Sequence, residues 1–426
     1  NNRLRILLRT QIAEKKLTSK DPDIRLESVK QLMEKMDGDA ETKIRAALNK
    51  EKNKKVIEYM QLALALVDVQ KEDRQTKLAA LELLGESLES RARGAIVSVI
   101  EEQKQSDSPD PEILKIAEAG LKKIDGSYKI YSFIETTFFG LSLGSVLLLI
   151  AVGLAITFGV MGVINMAHGE LMMLGAYTTY VVQQAFPSLI DYSVFIAIPL
   201  AFIVSGLIGI LIERSVIRHL YGRPLETLLA TFGISLVLQQ LVRTIFSPLN
   251  RSVETPSWMS GSLEINAALS LTYNRLFIVL FALLVFIGLL LILKKTSLGL
   301  QVRAVSQDRN MARAMGIRTD WVDALTFGLG SGIAGIAGVA LSQLTNVGPN
   351  LGQGYIVDSF MVVVFGGVGN LWGTLVGALT LGVGNKFLEP WTGAVLAKIL
   401  ILVFIILFIQ KRPRGLFPQK GRAAEN

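Results

Sequence analysis

The sequence predicts an all-α protein: a polytopic transmembrane helical bundle of about eight membrane segments, two of them Gly-interrupted, preceded by a soluble HEAT-like helical domain. Three observations carry that expectation. Half of the 426 residues are hydrophobic and 38 more are glycine, which together exceed the usual share in a soluble domain. Charge is divided unevenly: residues 1–127 hold 24 Lys+Arg and 23 Asp+Glu, against 20 and 13 in the other 299. Apolar runs long enough to cross a bilayer occur only after residue 127. The domains expected are therefore a soluble helical one over 1–127 and a membrane one over 128–426.

In the first domain Asp21-Pro22 reads as an N-cap followed by Pro at the first helical position, and Leu26, Val29, Met33 and Met36 then recur at helical spacing. Val56, Met60 and Ala63 continue the pattern, then Leu78, Leu81 and Leu84. Ile113, Ile116, Ala117 and Ile124 follow the turn signal Ser108-Pro109-Asp110-Pro111. Six or seven helices of 10–18 residues are expected, stacked in pairs. The KEKNKK run at 50–55 reads as a solvated turn between two of them. Asn1 in place of an initiator Met fits a cleaved signal peptide and a truncated chain equally well.

Apolar windows in the second domain fall at 133–158, 171–186, 193–213, 226–247, 274–293, 322–344, 372–388 and 393–410. Basic residues mark one side: three over 214–223, six over 294–318 and five over 411–422, the last including Lys420 and Arg422. By the positive-inside rule these segments are cytoplasmic, which puts the helical domain in the periplasm and the C-terminus inside. Arg243, Arg251 and Arg275 weigh the other way, balanced in part by Glu254 and Glu264.

That topology requires residues 355–388 to return to the side they entered from, with a break at Gly366-Gly367-Val368-Gly369-Asn370. A matching interruption runs from Gly162 to Gly169 and holds Asn165 and His168. Broken helices line paths, because irregular backbone survives in a bilayer only beside protein or water. Asn165, His168, Glu170 and Asn370 are the expected path residues, since each is costly in lipid without such a role. Gln239, Gln240, Asn385 and Glu389 are weaker candidates for the same path. Glycines spaced by four, Gly328/Gly332 and Gly373/Gly377, read as helix-packing positions, as does Ser331/Gly335.

Several chemistries are excluded. Without cysteine there is no disulfide, thiolate nucleophile or Fe–S cluster, and two separated histidines, His168 and His219, do not make a metal site, so no cofactor is expected. His219, among Arg218 and Arg223, reads as a surface residue. No G-x-x-x-x-G-K-[ST] occurs, so any ATP dependence comes from a separate subunit. Gly140-Leu141-Ser142-Leu143-Gly144 matches G-x-S-x-G in form only, because it lies inside an apolar helix.

The inner loop between the fifth and sixth windows differs in kind. Gln301 to Ile317 reads as one amphipathic helix, with Val302, Val305, Met311 and Met315 on one side and Arg303, Asp308, Arg309 and Arg313 on the other, capped by Gly316. Bracketed by two spans, such a helix can lie on lipid or fit a groove in a cytoplasmic partner; as a coupling element it would turn Ala304, Asp308, Arg309, Ala312, Met315 and Gly316 toward an ATPase groove.

Five ordered blocks, VMGVINMAHGELMMLGAY (160–177), IERSVIRHLYGRPL (212–225), RAVSQDRNMARAMGI (303–317), FGGVGNLWGTLVG (365–377) and QKRPRGLF (410–417), together resemble the permeases of branched-chain amino acid ABC transporters. Within that family NKFLEPWTGAVLAKI (385–399), the tail and the helical N-terminal extension are most similar to the permease B subunit of the urea-importing branch. The resemblance implies a non-enzymatic importer subunit in a bacterial inner membrane. Its partners would be a second homologous permease, two cytoplasmic ABC ATPases and a periplasmic substrate-binding protein. The expected substrate is urea, and the alternative a branched-chain amino acid or another small amide. A stand-alone channel or proton-coupled carrier is the reading from a different class, and an interaction scaffold a third.

Overall fold

The computed structural model describes residues 11–34, 36 and 38–418. Asn1, Lys420 and Arg422, used in the sequence reading, lie outside the described residues. The chain divides into two compact units, residues 1–134 with 264–270, and residues 135–263 with 271–426.

In the first unit the helices are α1 (Pro22–Glu34), α2 (Gly38–Leu48), α3 (Lys54–Asp68), α4 (Arg74–Glu86), α5 (Ser90–Gln105) and the start of α6 (Pro111–Met161). Their starts follow from local chemistry. Asp21, Asn53, Asp73 and Asp110 each accept a hydrogen bond from a backbone N–H of the first turn, satisfying donors that a helix start leaves open. Helix α3 packs on α1, α2, α4 and α5, and Val29, Ile44, Met60, Leu81, Ile96 and Ile124 meet in one core. The 50–55 run is a turn, but Glu51 within it is structural. Arg25 donates to both carboxylate oxygens of Glu51, at 2.6 and 2.8 Å, and holds that carboxyl down to about 2.

The second unit is built around two buried helices, α7 (His168–Ala185) and α13 (Thr319–Ser342), with α8 (Ser193–Ser215) packed on both. Gly328, Gly332 and Gly335 let α13 lie against α8, so the four-residue spacing read as packing is used as such. Helices α9 (Pro224–Phe246) and α10 (Tyr273–Lys295) expose their leucine and isoleucine faces, as lipid-facing helices do. A short hairpin, β1 (Ser262–Asn266) and β2 (Leu269–Thr272), lies between them in sequence. Helices α11 (Ser297–Gln307) and α12 (Arg309–Ala314) precede α13. Helices α14 (Gln353–Gly366) and α15 (Leu371–Lys411) follow it.

Two expectations need correction. Among the described residues six helices, one of them the two-limbed α15, are long and apolar enough to cross a membrane, against the eight windows expected. The 171–186 window drops out because α7 is 18 residues long and carries His168, Glu170, Thr178, Thr179, Gln183 and Gln184. The windows 372–388 and 393–410 are two antiparallel limbs of α15, separated at Gly393, whose φ of +79° breaks the helix and only glycine adopts without strain, so they remain two helical segments as expected. The first half of α15 runs back along α14, with Gly373 against Gly366 and Gly377 against Val362. The second half runs the opposite way, with Lys398 near Gly354 and the Phe408 ring tilted against that of Phe365. The expected reversal of 355–388 is therefore present.

The second correction is the loop helix. Gln301–Ile317 is not continuous: it breaks at Asp308, whose extended backbone ends α11 and whose Oδ1 caps α12 by accepting the Met311 N–H at 2.9 Å. Gly316 ends α12 as expected, at φ +87°, with the Gly316 N–H donating to Arg313 O and the Ile317 N–H to Ala312 O.

Candidate functional site

The first break is a short irregular stretch between α6 and α7. Phe158 O still accepts the Gly162 N–H; then Asn165 Oδ1 accepts the Ala167 N–H at 3.0 Å and α7 begins at His168. Asn165, His168 and Glu170 are each at most 1% exposed. The His168 Nε2–H donates to Ile150 O on α6 at 3.0 Å, because a carbonyl can only accept, which leaves Nδ1 as an acceptor. Glu170 Oε1 accepts from Gln239 Nε2 at 2.7 Å and from Ser235 Oγ at 3.1 Å. Thr231 Oγ1 accepts the Met166 N–H at 3.1 Å and donates to Thr227 O at 2.9 Å. One helix face of α9, presenting Thr227, Thr231, Ser235 and Gln239 at four-residue spacing, thus lines the break.

Four buried polar atoms here have no partner among the described residues: Asn165 Nδ2, His168 Nδ1, Glu170 Oε2 and the Tyr177 hydroxyl. Tyr177 lies two turns after Glu170 on the same face of α7. Buried unpaired groups cost about 1–3 kcal/mol each, so each of them is hydrogen-bonding capacity held in reserve. The set offers donors and acceptors together, which suits a polar solute or water in passage.

Sequence reasoning named Asn165, His168, Glu170 and Gln239, and the structure buries the first three at the break, His168 against α6 and Glu170 against α9, with Gln239 bonded to Glu170. It missed Ser235, Thr231 and Tyr177. Gln240 is exposed on another face of α9. Asn370 belongs to the second break, where its Oδ1 accepts the Gly373 N–H at 3.1 Å and its Nδ2 donates to Phe417 O at 3.3 Å. Its side chain is used for capping α15 and holding the tail. Asn385 and Glu389 lie in a separate cleft beside the Gly393 bend. His219 is exposed and Ser142 buried, and neither has a catalytic setting.

The coupling residues also separate. Ala312 is 5% exposed, packed with Val302, Val305 and Val322, so it is a core residue of the loop and not on an outward face. Met311 and Met315, expected beside those valines, are instead 61% and 77% exposed. Ala304 is partly buried, and Asp308, Met315 and Gly316 are exposed. Arg309 is tied inward: it pairs with the buried Asp323 on α13 and lies over the Tyr221 ring, 4.5 Å from its centre. Tyr221 donates to Glu213 at 3.1 Å, so the loop after α8 and the α11–α12 loop share one network. Of the residues expected to couple, the exposed ones are therefore Asp308, Met315 and Gly316, beside Met311, Arg313 and Ala314.

Comparison with known proteins adds an independent finding. Residues 136–409 match the family described as branched-chain amino acid transport system / permease component. The chain is 32% identical to the high-affinity branched-chain amino acid transport system permease protein LivH of Salmonella typhimurium, over 67% of this chain and 95% of that one. It is 29% identical to BraD of Pseudomonas aeruginosa, a permease of the same description, over 68% and 96%. It is also 27% identical to the ribose import permease protein RbsC of Escherichia coli, over 58% and 75%. No solved structure matches the chain significantly.

Proposed function

The chain belongs to the branched-chain amino acid ABC transporter permease family, and from that premise we propose that it is one membrane subunit of an importer carrying a branched-chain amino acid across the bacterial inner membrane. A permease subunit of this kind is not itself an enzyme; separate cytoplasmic ATPases would drive it, a second permease would complete the path, and a binding protein would deliver the solute. The observation that carries the reading is the family match over 136–409, which spans both breaks and the α11–α12 loop. The solute would pass the first break, where Asn165, His168 and Glu170 hold unpaired polar atoms. The ATPase would seat on the exposed Met311, Met315 and Gly316 surface, methionine adapting to an irregular groove.

The substrate reading here departs from urea, because the relatives reported above are named for branched-chain amino acids and ribose. One observation keeps urea as a second reading. LivH and BraD are matched over 95% and 96% of their own length, so the N-terminal helical unit has no counterpart in them. Consecutive packing of its helices supports a HEAT-like stack, and the basic segments 214–223 and 294–318 support its lying in the periplasm. An impermeant maleimide reacting with a cysteine at Ser108 in intact spheroplasts tests that side; labelling only after lysis would reverse it. Uptake of radiolabelled leucine and urea in cells with and without this chain decides the substrate: leucine uptake lost with the chain is expected, and loss of urea uptake alone would restore the urea reading.

A further inference from the structure

Helix α14 and the two halves of α15 meet beside the Gly393 bend, at the end remote from the second break. They enclose a cleft of about 160 Å3 there. Its floor is apolar, formed by Leu143, Leu147, Met361, Leu381 and Ile401. Its rim carries both signs of charge. Lys398 Nζ lies 2.8 Å from Asp358 Oδ2, and Lys386 Nζ lies 2.6 Å from Glu389 Oε2. The Asp358 side chain is 16% exposed and that of Lys398 47%, so the pairs border open space and are not sealed in the core. The volume is well below the ~300–1,000 Å3 of sites for drug-sized ligands, which limits an occupant to a single small metabolite. Asn165, His168, Glu170 and Gln239 do not line it, so it is distinct from the first break.

We infer that this cleft is a subsite for a zwitterionic amino acid with an apolar side chain. The side chain would rest on the Leu147, Met361 and Ile401 floor, the ammonium would face Asp358 or Glu389, and the carboxylate Lys398 or Lys386. The inference deepens the importer reading and rests on it. Charges on membrane helices are expensive unless paired, and here each has a partner while the cleft is free. A zwitterion replaces both partners at once: its N–H groups donate to the carboxylate and its own carboxylate accepts from the ammonium, so no charge is stranded. A solute with a single charge leaves one protein charge unpaired, and a neutral amide compensates neither. Rejection of both follows from the same geometry that admits the zwitterion. The apolar floor then sorts zwitterions by side chain.

The test is leucine uptake in cells carrying the complete transporter, comparing the unaltered chain with Asp358→Asn, Lys398→Gln and the double variant. Each single change strands one charge, so loss of uptake is expected from a structural role as well as from binding. The double variant separates the two, because removing both members of a pair that only braces α14 against α15 is close to neutral. The expected result is a double variant present in membranes at the normal level, still binding its ATPase, with uptake at saturating leucine lower by about tenfold or more. Should it fail to accumulate, the Lys386→Gln/Glu389→Gln double carries the same test, since that pair lies within one helix and braces nothing across the cleft. Normal uptake in the double that accumulates overturns the subsite and leaves the importer reading intact. No leucine uptake by the unaltered chain overturns the importer reading for amino acids, and this inference with it.

Discussion

At Gly162–Ala167 the chain turns between α6 and α7 and leaves Asn165 Nδ2, His168 Nδ1 and Glu170 Oε2 buried without partners among the described residues, whereas at Gly367–Asn370 it turns between α14 and α15 with both polar ends of Asn370 engaged. The two breaks are built from the same residue types, glycine and asparagine, and they are neighbours: a Cβ on Gly159 would collide with the Cα of Gly369. Their supports differ. The second break is strapped by the C-terminal tail, with the Leu416 N–H donating to Phe365 O at 2.9 Å and the Phe417 N–H to Gly366 O at 3.1 Å. The first is approached by Val160, which packs against the Val302, Val305, Ala312 and Val322 core of the α11–α12 loop. A break with unspent hydrogen bonds, touching the segment an ATPase would push, is equipped to change state. A break whose bonds are closed by its own chain is equipped to hold still. On this contrast the first break would be the moving part and the second its abutment.

The contrast would be broken most directly at the first break. Asn165→Ala and Glu170→Ala each remove one of the unpaired groups, and uptake is expected to fall by about tenfold or more while the chain remains at its normal level in membranes. Glu170→Ala also frees Gln239 and Ser235 from their shared acceptor, so it should be the more severe of the two. Radiolabelled uptake normalised to membrane-inserted protein is the measurement. Near-normal rates in both variants would return the first break to the role of a packing feature like the second.

Much of this was legible from the residues, and what escaped has physical reasons. Closely spaced glycines interrupting apolar sequence announce both breaks, whereas glycines spaced by four announce helix packing. Thr231 and Ser235 hide in α9, since small hydroxyls satisfy themselves on the preceding turn and add little cost in lipid; only Gln239 in that stripe is large enough to attract notice. Asp308 reads as one more polar residue on an amphipathic face, and its use as an N-cap shows only in the backbone. Asn370 looks costly in lipid because the group that accepts its amide, Phe417 O, is 47 residues away. Asp358 and Lys398 are 40 residues apart and meet only because α15 bends at Gly393.

A smaller effect should come from the contact between the loop and the first break. Val160→Ala removes two methyl groups from the face that meets Val302, Val305 and Ala312. The expected cost in stability is about 1 kcal/mol, too little to prevent assembly. If pushing on the α11–α12 loop reaches the first break through this contact, the variant should hydrolyse ATP at the normal rate in the assembled transporter and import several-fold less solute per ATP. Measuring both rates on one reconstituted preparation gives the ratio. An unchanged ratio would place the linkage elsewhere, the Arg309–Asp323 pair to α13 being the next contact to try.

The smallest change is expected at the second break, and it is the sharpest test of the contrast. Asn370→Ala deletes the cap of α15 and the bond to Phe417 O, so it should cost about 1–2 kcal/mol, seen as a lower melting temperature of the purified transporter. Because the side chain serves the fold and not the solute, uptake per assembled molecule should stay close to normal. Asn370→Asp divides the two contributions: a carboxylate can still accept the Gly373 N–H at the helix start, where negative charge is favoured, but it has no N–H for Phe417 O. Its stability should fall between the unaltered chain and Asn370→Ala, with the cap retained and the tail loosened. If instead Asn370→Asp and Asn370→Ala both abolish uptake in protein that melts at the normal temperature, Asn370 acts on the solute, and the two breaks are partners in one path.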